Sequence, residues 1–222
     1  MFDRVASRYD ALNSVMTAGL HHRWRERAAE RTELEPGDSA LDVCCGTGDF
    51  ALELAAQVAP GGRVVGSDFS EPMLDLAREK AAERGVENVR FEWADALQLP
   101  YDAGRFDAVT VGFGVRNLAD LDRGLLEMAR VLKPGGRAVI LEITQPTRPP
   151  LSFFYSVWFD RIAPLLGRFS DDPEAYSYLP ESVRSFPSPQ RLAEKMDRAG
   201  FERIRYTVLA GGIISIHSAV RG

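Results

Sequence analysis

Cysteine is nearly missing from this chain of 222 residues: there are two, Cys44 and Cys45, side by side. Neighbouring cysteines bridge each other only with difficulty, so a disulfide scaffold is excluded and a reducing compartment fits. Histidine is as scarce, with His21, His22 and His217 too dispersed for metal-ligand spacing; no metal is expected. Lysine is down to three against 24 arginines, a skew in keeping with a GC-rich genome. No apolar run reaches the roughly 18 residues that a bilayer span requires. The start, MFDRVASRYD, lacks the basic and apolar regions of a signal peptide, so a cytoplasmic location is expected. Positive charge is not in excess either: 27 basic residues face 32 acidic ones, a net −5. That balance disfavours nucleic acid as a partner.

What is present is globular. Hydrophobic residues at 45% and charged residues at 27% exclude wholesale disorder. The length fits one elaborated domain, 1–222, better than two. Residues 1–35 are expected to form an N-terminal helical cover, broken by Pro36-Gly37. From Ser39 onward short apolar strands alternate with helices. Strands are expected over 39–44, 63–67, 89–93, 106–111 and 137–141, with helices over 49–58, 71–84 and 120–132. That rhythm indicates βαβ units and a parallel sheet covered on both faces. A helix over 189–199 and strands over 201–209 and 213–220 follow. Only Ala210-Gly211-Gly212 separates the last two strands, which is too short for a parallel crossover, so they form an antiparallel hairpin. The expected fold class is α/β: a doubly wound, mostly parallel seven-stranded sheet with an antiparallel C-terminal hairpin, the layout of class I S-adenosylmethionine (SAM) methyltransferases. Residues 146–189, Pro-rich and aromatic, break the rhythm and read as a substrate-lid insertion.

Gly46-Thr47-Gly48 stands between the first strand and its helix, where glycines admit a ligand close to the backbone. Asp68 lies 20 residues after Gly48, directly after a strand, where a carboxylate can accept from both hydroxyls of a ribose. The loop alone does not choose between NAD and SAM, since Gly46-x-Gly48-x-x-Ala51 also satisfies the dinucleotide pattern. Asp95-Ala96 follows the third strand, where a carboxylate and the next backbone N–H can read an adenine edge. A dinucleotide needs its pyrophosphate neutralised at a helix N-terminus, whereas SAM carries a sulfonium and an ammonium. Asp42, Asp49, Asp68 and Asp95 at the strand ends therefore suit a cationic ligand. Cys44 reads as buried strand filling, and Cys45, which borders the glycine loop, as packing rather than a cofactor contact.

The sequence resembles the demethylmenaquinone/ubiquinone-biosynthesis C-methyltransferases essentially end to end. The resemblance rests on Tyr9-Asp10-x-x-Asn13, Gly19-x-His21-x-x-Trp24, Leu41 to Gly48, Asp68-Phe-Ser70-x-x-Met73-Leu74 and Gly112-Phe-Gly-Val-Arg116-Asn117. Glu127 to Arg137, Leu141-Glu-x-x-x-Pro146, Phe186-Pro187 and Gly211-Gly-Ile-x-x-Ile-His217 complete it. It implies SAM as cofactor, held at Gly46, Thr47, Gly48, Asp68, Asp95 and Ala96. Where the family often carries a serine at the next contact, this chain has Gly112. The implied reaction methylates a ring carbon of a prenylated quinol, converting demethylmenaquinol to menaquinol. The ubiquinone pathway, another small lipid or polyketide acceptor, an NAD-dependent oxidoreductase and a non-catalytic SAM-binding subunit are the rivals.

Carbon methylation needs an ionised ring hydroxyl, which at pH 7 costs about 4 kcal/mol for a phenol titrating near 10. Arg116 is the expected stabiliser of that oxyanion, with Asn117 holding a water or the second hydroxyl. Arg titrates too high to serve as a base, and no general base stands out among Tyr9, Asp10 and His21. His217 is expected in the core. Phe154, Trp158, Ile162 and Leu165 form one helical stripe. That stripe covers the sheet or a homodimer face, or gates a prenyl tail in peripheral contact with the membrane's inner face.

Overall fold

The computed structural model of the protein describes residues 17, 19–146 and 182–222. Helix α1 (Leu20–Glu30) leads into β1 (Ser39–Val43), α2 (Asp49–Val58), β2 (Arg63–Asp68), α3 (Glu71–Glu83), β3 (Val89–Trp93) and β4 (Phe106–Gly112). A short 3₁₀ turn over Val115–Asn117 precedes α4 (Leu121–Val131) and β5 (Leu132–Ile143), followed later by α5 (Pro189–Arg198), β6 (Phe201–Leu209) and β7 (Ile214–Arg221). The seven strands form one sheet in the order β3-β2-β1-β4-β5-β7-β6. Strands β1 to β5 pair in parallel, and β7 runs antiparallel to both β5 and β6. The expected fold class is the one found.

The strands are apolar because both faces are covered. Leu41 and Val43 of β1 join Leu125, Met128, Leu192 and Met196 in one core, beneath α4 and α5. Ala40 joins Ala28, Phe50, Leu54, Val58, Leu74 and Ala77 in the other, beneath α1, α2 and α3. Helix α4 starts on Asp120, whose carboxylate accepts from the Arg123 N–H and satisfies one of the orphan donors of the first turn. Among the described residues no helix is long and apolar enough to cross a membrane.

The largest departure from the expected boundaries is at β5 and the helix before it. β5 begins at Leu132, not 137, because Leu132 pairs with Phe106 before a register shift lets Pro134-Gly135 bulge out and Arg137 pair with Ala108. Helix α4 therefore stops at Val131, ahead of the Pro-Gly. The N-terminal motif at Tyr9, Asp10 and Asn13 lies outside the described residues, as do the 154–165 stripe and nearly all of the expected lid.

A candidate ligand site at the strand ends

Between β1 and β4 the chain reverses its direction of winding, which is where open α/β sheets hold ligands, beyond the carboxyl ends of the strands. A cleft of about 370 Å³ lies there. Cys44 and Gly46 reach it from β1, Asp68 and Phe69 from β2, Trp93 to Leu97 from β3, and Gly112 to Gly114 from β4; Asn117 and Met73 also line it.

The first loop makes the wall by backbone strain. Cys44 takes φ +55, Gly46 φ +54 and Gly48 φ +82. Among the described residues a Cβ on Gly46 would meet nothing within 4 Å, so the loop leaves space where a ligand can lie against the main chain. A Cβ on Gly48 would come 2.7 Å from the Phe91 ring. Gly48 is therefore a packing glycine that caps α2, and neither it nor Thr47 lines the cleft. Instead, the Thr47 hydroxyl oxygen takes a hydrogen bond from Lys80 Nζ at 3.1 Å. Gly112 is explained by Phe50, whose ring would lie 2.9 Å from an added Cβ.

Asp68 fixes the loop as well as facing the cleft. Its two carboxylate oxygens accept from Gly46 N at 2.9 Å and Ser70 N at 3.0 Å. Asp95 accepts from Leu97 N at 2.8 Å, and Ala96 follows it on the wall. Phe69 and Trp93, 57% and 59% exposed, stand at the rim with the Trp93 indole N–H donated to the Phe69 carbonyl. Two large, half-exposed aromatics at one cleft mouth are an apolar platform for a planar group. Nothing in the sequence singles them out beyond their place at the ends of β2 and β3.

The expected acidic rim is only half assembled. Asp68 and Asp95 line the cleft, but Asp49 turns to Arg25 at 3.1 Å and Lys80 at 2.8 Å. Burial works against its charge, yet these cations hold the Asp49 carboxyl below its ordinary value. Asp42 lies inside the sheet, 1% exposed, with Oδ1 accepting from Thr110 Oγ1 at 2.7 Å and Oδ2 without a hydrogen bond. Burial, opposed only in part by Thr110 and Arg25, pushes Asp42 up to about 7. Of the two cysteines, Cys45 packs as expected and Cys44 departs from its expected place inside the strand. Because β1 ends at Val43, Cys44 swings onto the cleft wall while Cys45 packs in the second core. Burial drives both thiols up, so neither is a thiolate.

Of the two expected catalytic side chains, Asn117 is on the wall and Arg116 is not. The Arg116 guanidinium lies behind the loop, 8% exposed, with Nη1 2.6 Å from Glu142 Oε1 and 2.5 Å from the Phe113 carbonyl. His217 is fully buried and donates from Nε2 to the Pro189 carbonyl at 2.8 Å. Burial lowers its pKa. Among the described residues no group of three His, Cys, Asp or Glu side chains gathers as a metal site.

The model of the ubiE/COQ5 methyltransferase family matches residues 1–221. The chain belongs to that family. It is 48% identical to a protein of Thermus thermophilus named demethylmenaquinone methyltransferase, over 98% of each chain. A protein of the same name from Alkalihalophilus pseudofirmus is 42% identical, over 100% of this chain and 94% of the relative. Among solved structures, a SAM-dependent methyltransferase from Aquifex aeolicus superposes with a TM-score of 0.67 at 21% identity, covering 89% of each chain. The [4+2]-cyclase SpnF superposes at 0.70 with 23% identity, over 90% of this chain and 80% of that one. A cyclase on the same frame shows that these likenesses carry the fold and not the chemistry. In this member of the ubiE/COQ5 family, the strained loop after β1 and the carboxylates after β2 and β3 are the parts to which a chemistry must attach.

Proposed function

We propose that this protein transfers a methyl group from SAM to a ring carbon of a prenylated quinol, converting demethylmenaquinol to menaquinol. The observation that carries the reading is the cleft at the β1/β4 switch point. Among the described residues its wall has two carboxylates, an open glycine cradle at Gly46 and no basic side chain to meet a diphosphate. The N-terminal turn of α2, where a dinucleotide would place its pyrophosphate, carries Asp49 instead. The relatives named demethylmenaquinone methyltransferase support the choice of acceptor.

These residues fit the cofactor. Asp68 would accept from the ribose hydroxyls, Asp95 and the Ala96 N–H would read the adenine edge, and Phe69 and Trp93 would cover the ring faces. When bound, SAM supplies the methyl group as an electrophile on a positively charged sulfur. What the chain adds is orientation and an environment for the acceptor. Asn117 faces the cleft and can hold the quinol hydroxyl by a hydrogen bond. Arg116, already paired with a carboxylate, is a weaker partner for an oxyanion than a free guanidinium, and we assign it to holding the turn that carries Asn117.

Equilibrium titration tests the cofactor directly. SAM and its demethylated product bind and NADH does not; the reverse preference would make the cleft a dinucleotide site.

A further inference from the structure

Glu142 belongs to no wall of the cleft, yet it is the best-connected carboxylate near it. It is the penultimate residue of β5 and has no exposed surface. Oε1 accepts from Arg116 Nη1 at 2.6 Å and from Ile143 N at 2.8 Å, while Oε2 accepts from Arg116 N at 3.1 Å. One carboxylate thus holds the main chain and the side chain of the same residue. The same Nη1 reaches back three residues to the Phe113 carbonyl, and Phe113 stands at φ +60, a conformation that costs a phenylalanine energy. Phe113 N is in turn tied to the Leu141 carbonyl, and Asn117 N to the Gly114 carbonyl. The turn from Phe113 to Asn117 is therefore stapled to the end of β5 from both sides.

A pair of apolar side chains would fill this space at no loss of stability, because desolvating two charges offsets most of their attraction. What an ion pair with three directed hydrogen bonds adds is a single geometry. We propose that Glu142 is a positioning residue for methyl transfer: it grips the N–H and guanidinium of Arg116 together, keeps Phe113 left-handed, and so fixes Asn117 against the acceptor ring. The inference rests on reading the cleft as a methyl-transfer site. The shape of the grip also sets which substitutions matter. Glutamine keeps the length but turns an N–H₂ toward a donor, and aspartate keeps the charge but falls short of one contact.

Steady-state kinetics on the full chain, with Glu142→Gln, Glu142→Asp, Arg116→Ala and the Glu142→Gln/Arg116→Ala double variant, decide it. E142Q is expected to lower kcat at least tenfold while SAM Kd and quinol KM stay within threefold. E142D is expected to recover part of that loss. In the R116A background E142Q is expected to cause a smaller further loss of kcat, since only the contact of Glu142 with the N–H of residue 116 is left to disturb. Ser215 faces Glu142 in the β5/β7 register with an unbonded Oγ, so Ser215→Ala is expected to match wild type throughout. Wild-type kcat in E142Q, an equal loss in both backgrounds, or a loss confined to SAM affinity would overturn the proposal. If E142Q does not fold, E142D with unchanged kcat does the same. A wild-type protein that binds SAM but leaves the quinol unmethylated would overturn the proposed function, not the clamp. Amide exchange then decides the clamp: the 113–118 amides exchange at least tenfold faster in E142Q or E142D, and unchanged rates refute it.

Discussion

A Cβ on Gly114 would come within 2.4 Å of the Cys44 Cβ. The two residues stand back to back across the β1/β4 switch point, and both lie on the cleft wall. Neither neighbour can yield, because Cys44 is already held at φ +55. Gly114→Ala is expected to cost about 1–3 kcal/mol of stability by overpacking and to weaken SAM binding at least tenfold. Thermal unfolding and titration calorimetry measure the two effects.

Gly46 and Gly48 separate a ligand role from a packing role. Each has positive φ, so alanine at either costs about 1 kcal/mol of backbone strain. Gly48→Ala also drives a methyl group into Phe91 and is expected to lower the melting temperature further. Gly46→Ala meets no atom of the described residues, so its additional loss is expected in SAM affinity. Equal melting temperatures with equal SAM affinities would refute the distinction.

Asp68 accepts from two backbone N–H groups and would accept from two ribose hydroxyls. Hydrogen bonds to a charged group are worth about 1.5–3 kcal/mol each, so Asp68→Ala is expected to weaken SAM at least thirtyfold. Asp68→Asn keeps one acceptor oxygen and is expected to fall between.

Arg116→Ala leaves Glu142 charged and without its guanidinium in a fully buried place. Breaking such a pair costs about 3–5 kcal/mol, visible as a lower denaturation midpoint. Turnover is expected to drop at least tenfold with SAM binding retained.

Asp42 gives the chain a pH dependence of stability with an unusual sign. Its folded pKa is about 7, above the ordinary 3.8. Between those values the native state binds the proton that the unfolded chain has lost. Stability contributed by this group is therefore present below about pH 4 and lost as pH rises through about 7, by at most about 4 kcal/mol. Asp42→Asn is expected to gain on wild type over that window. Parallel pH profiles of the two would refute it.

The alternation of strands and helices was legible because parallel strands covered on both faces read as apolar runs, as in Ala40-Leu41 and Val64-Val65. The start of β5 was not, since Pro134-Gly135 carries the local signal of a stop and only pairing with Phe106 makes Leu132 a strand. Asp68 and Asp95 were legible from their place after strands, and Asn117 from the Gly112 to Asn117 motif of the resemblance. Glu142 was hidden because its meaning depends on Arg116, 26 residues away, and Asp49 because Arg25 and Lys80 come to it from two other helices. Cys44 was misplaced by a single residue in the end of β1, whereas Cys45 packs as expected.

The most direct measurement is the product formed from SAM and reduced demethylmenaquinone, identified by mass spectrometry with fragmentation of the ring. The expected product carries one added methyl group on a ring carbon, with both hydroxyls free. A methyl group on oxygen, or no product from a protein that binds both substrates, would contradict the account.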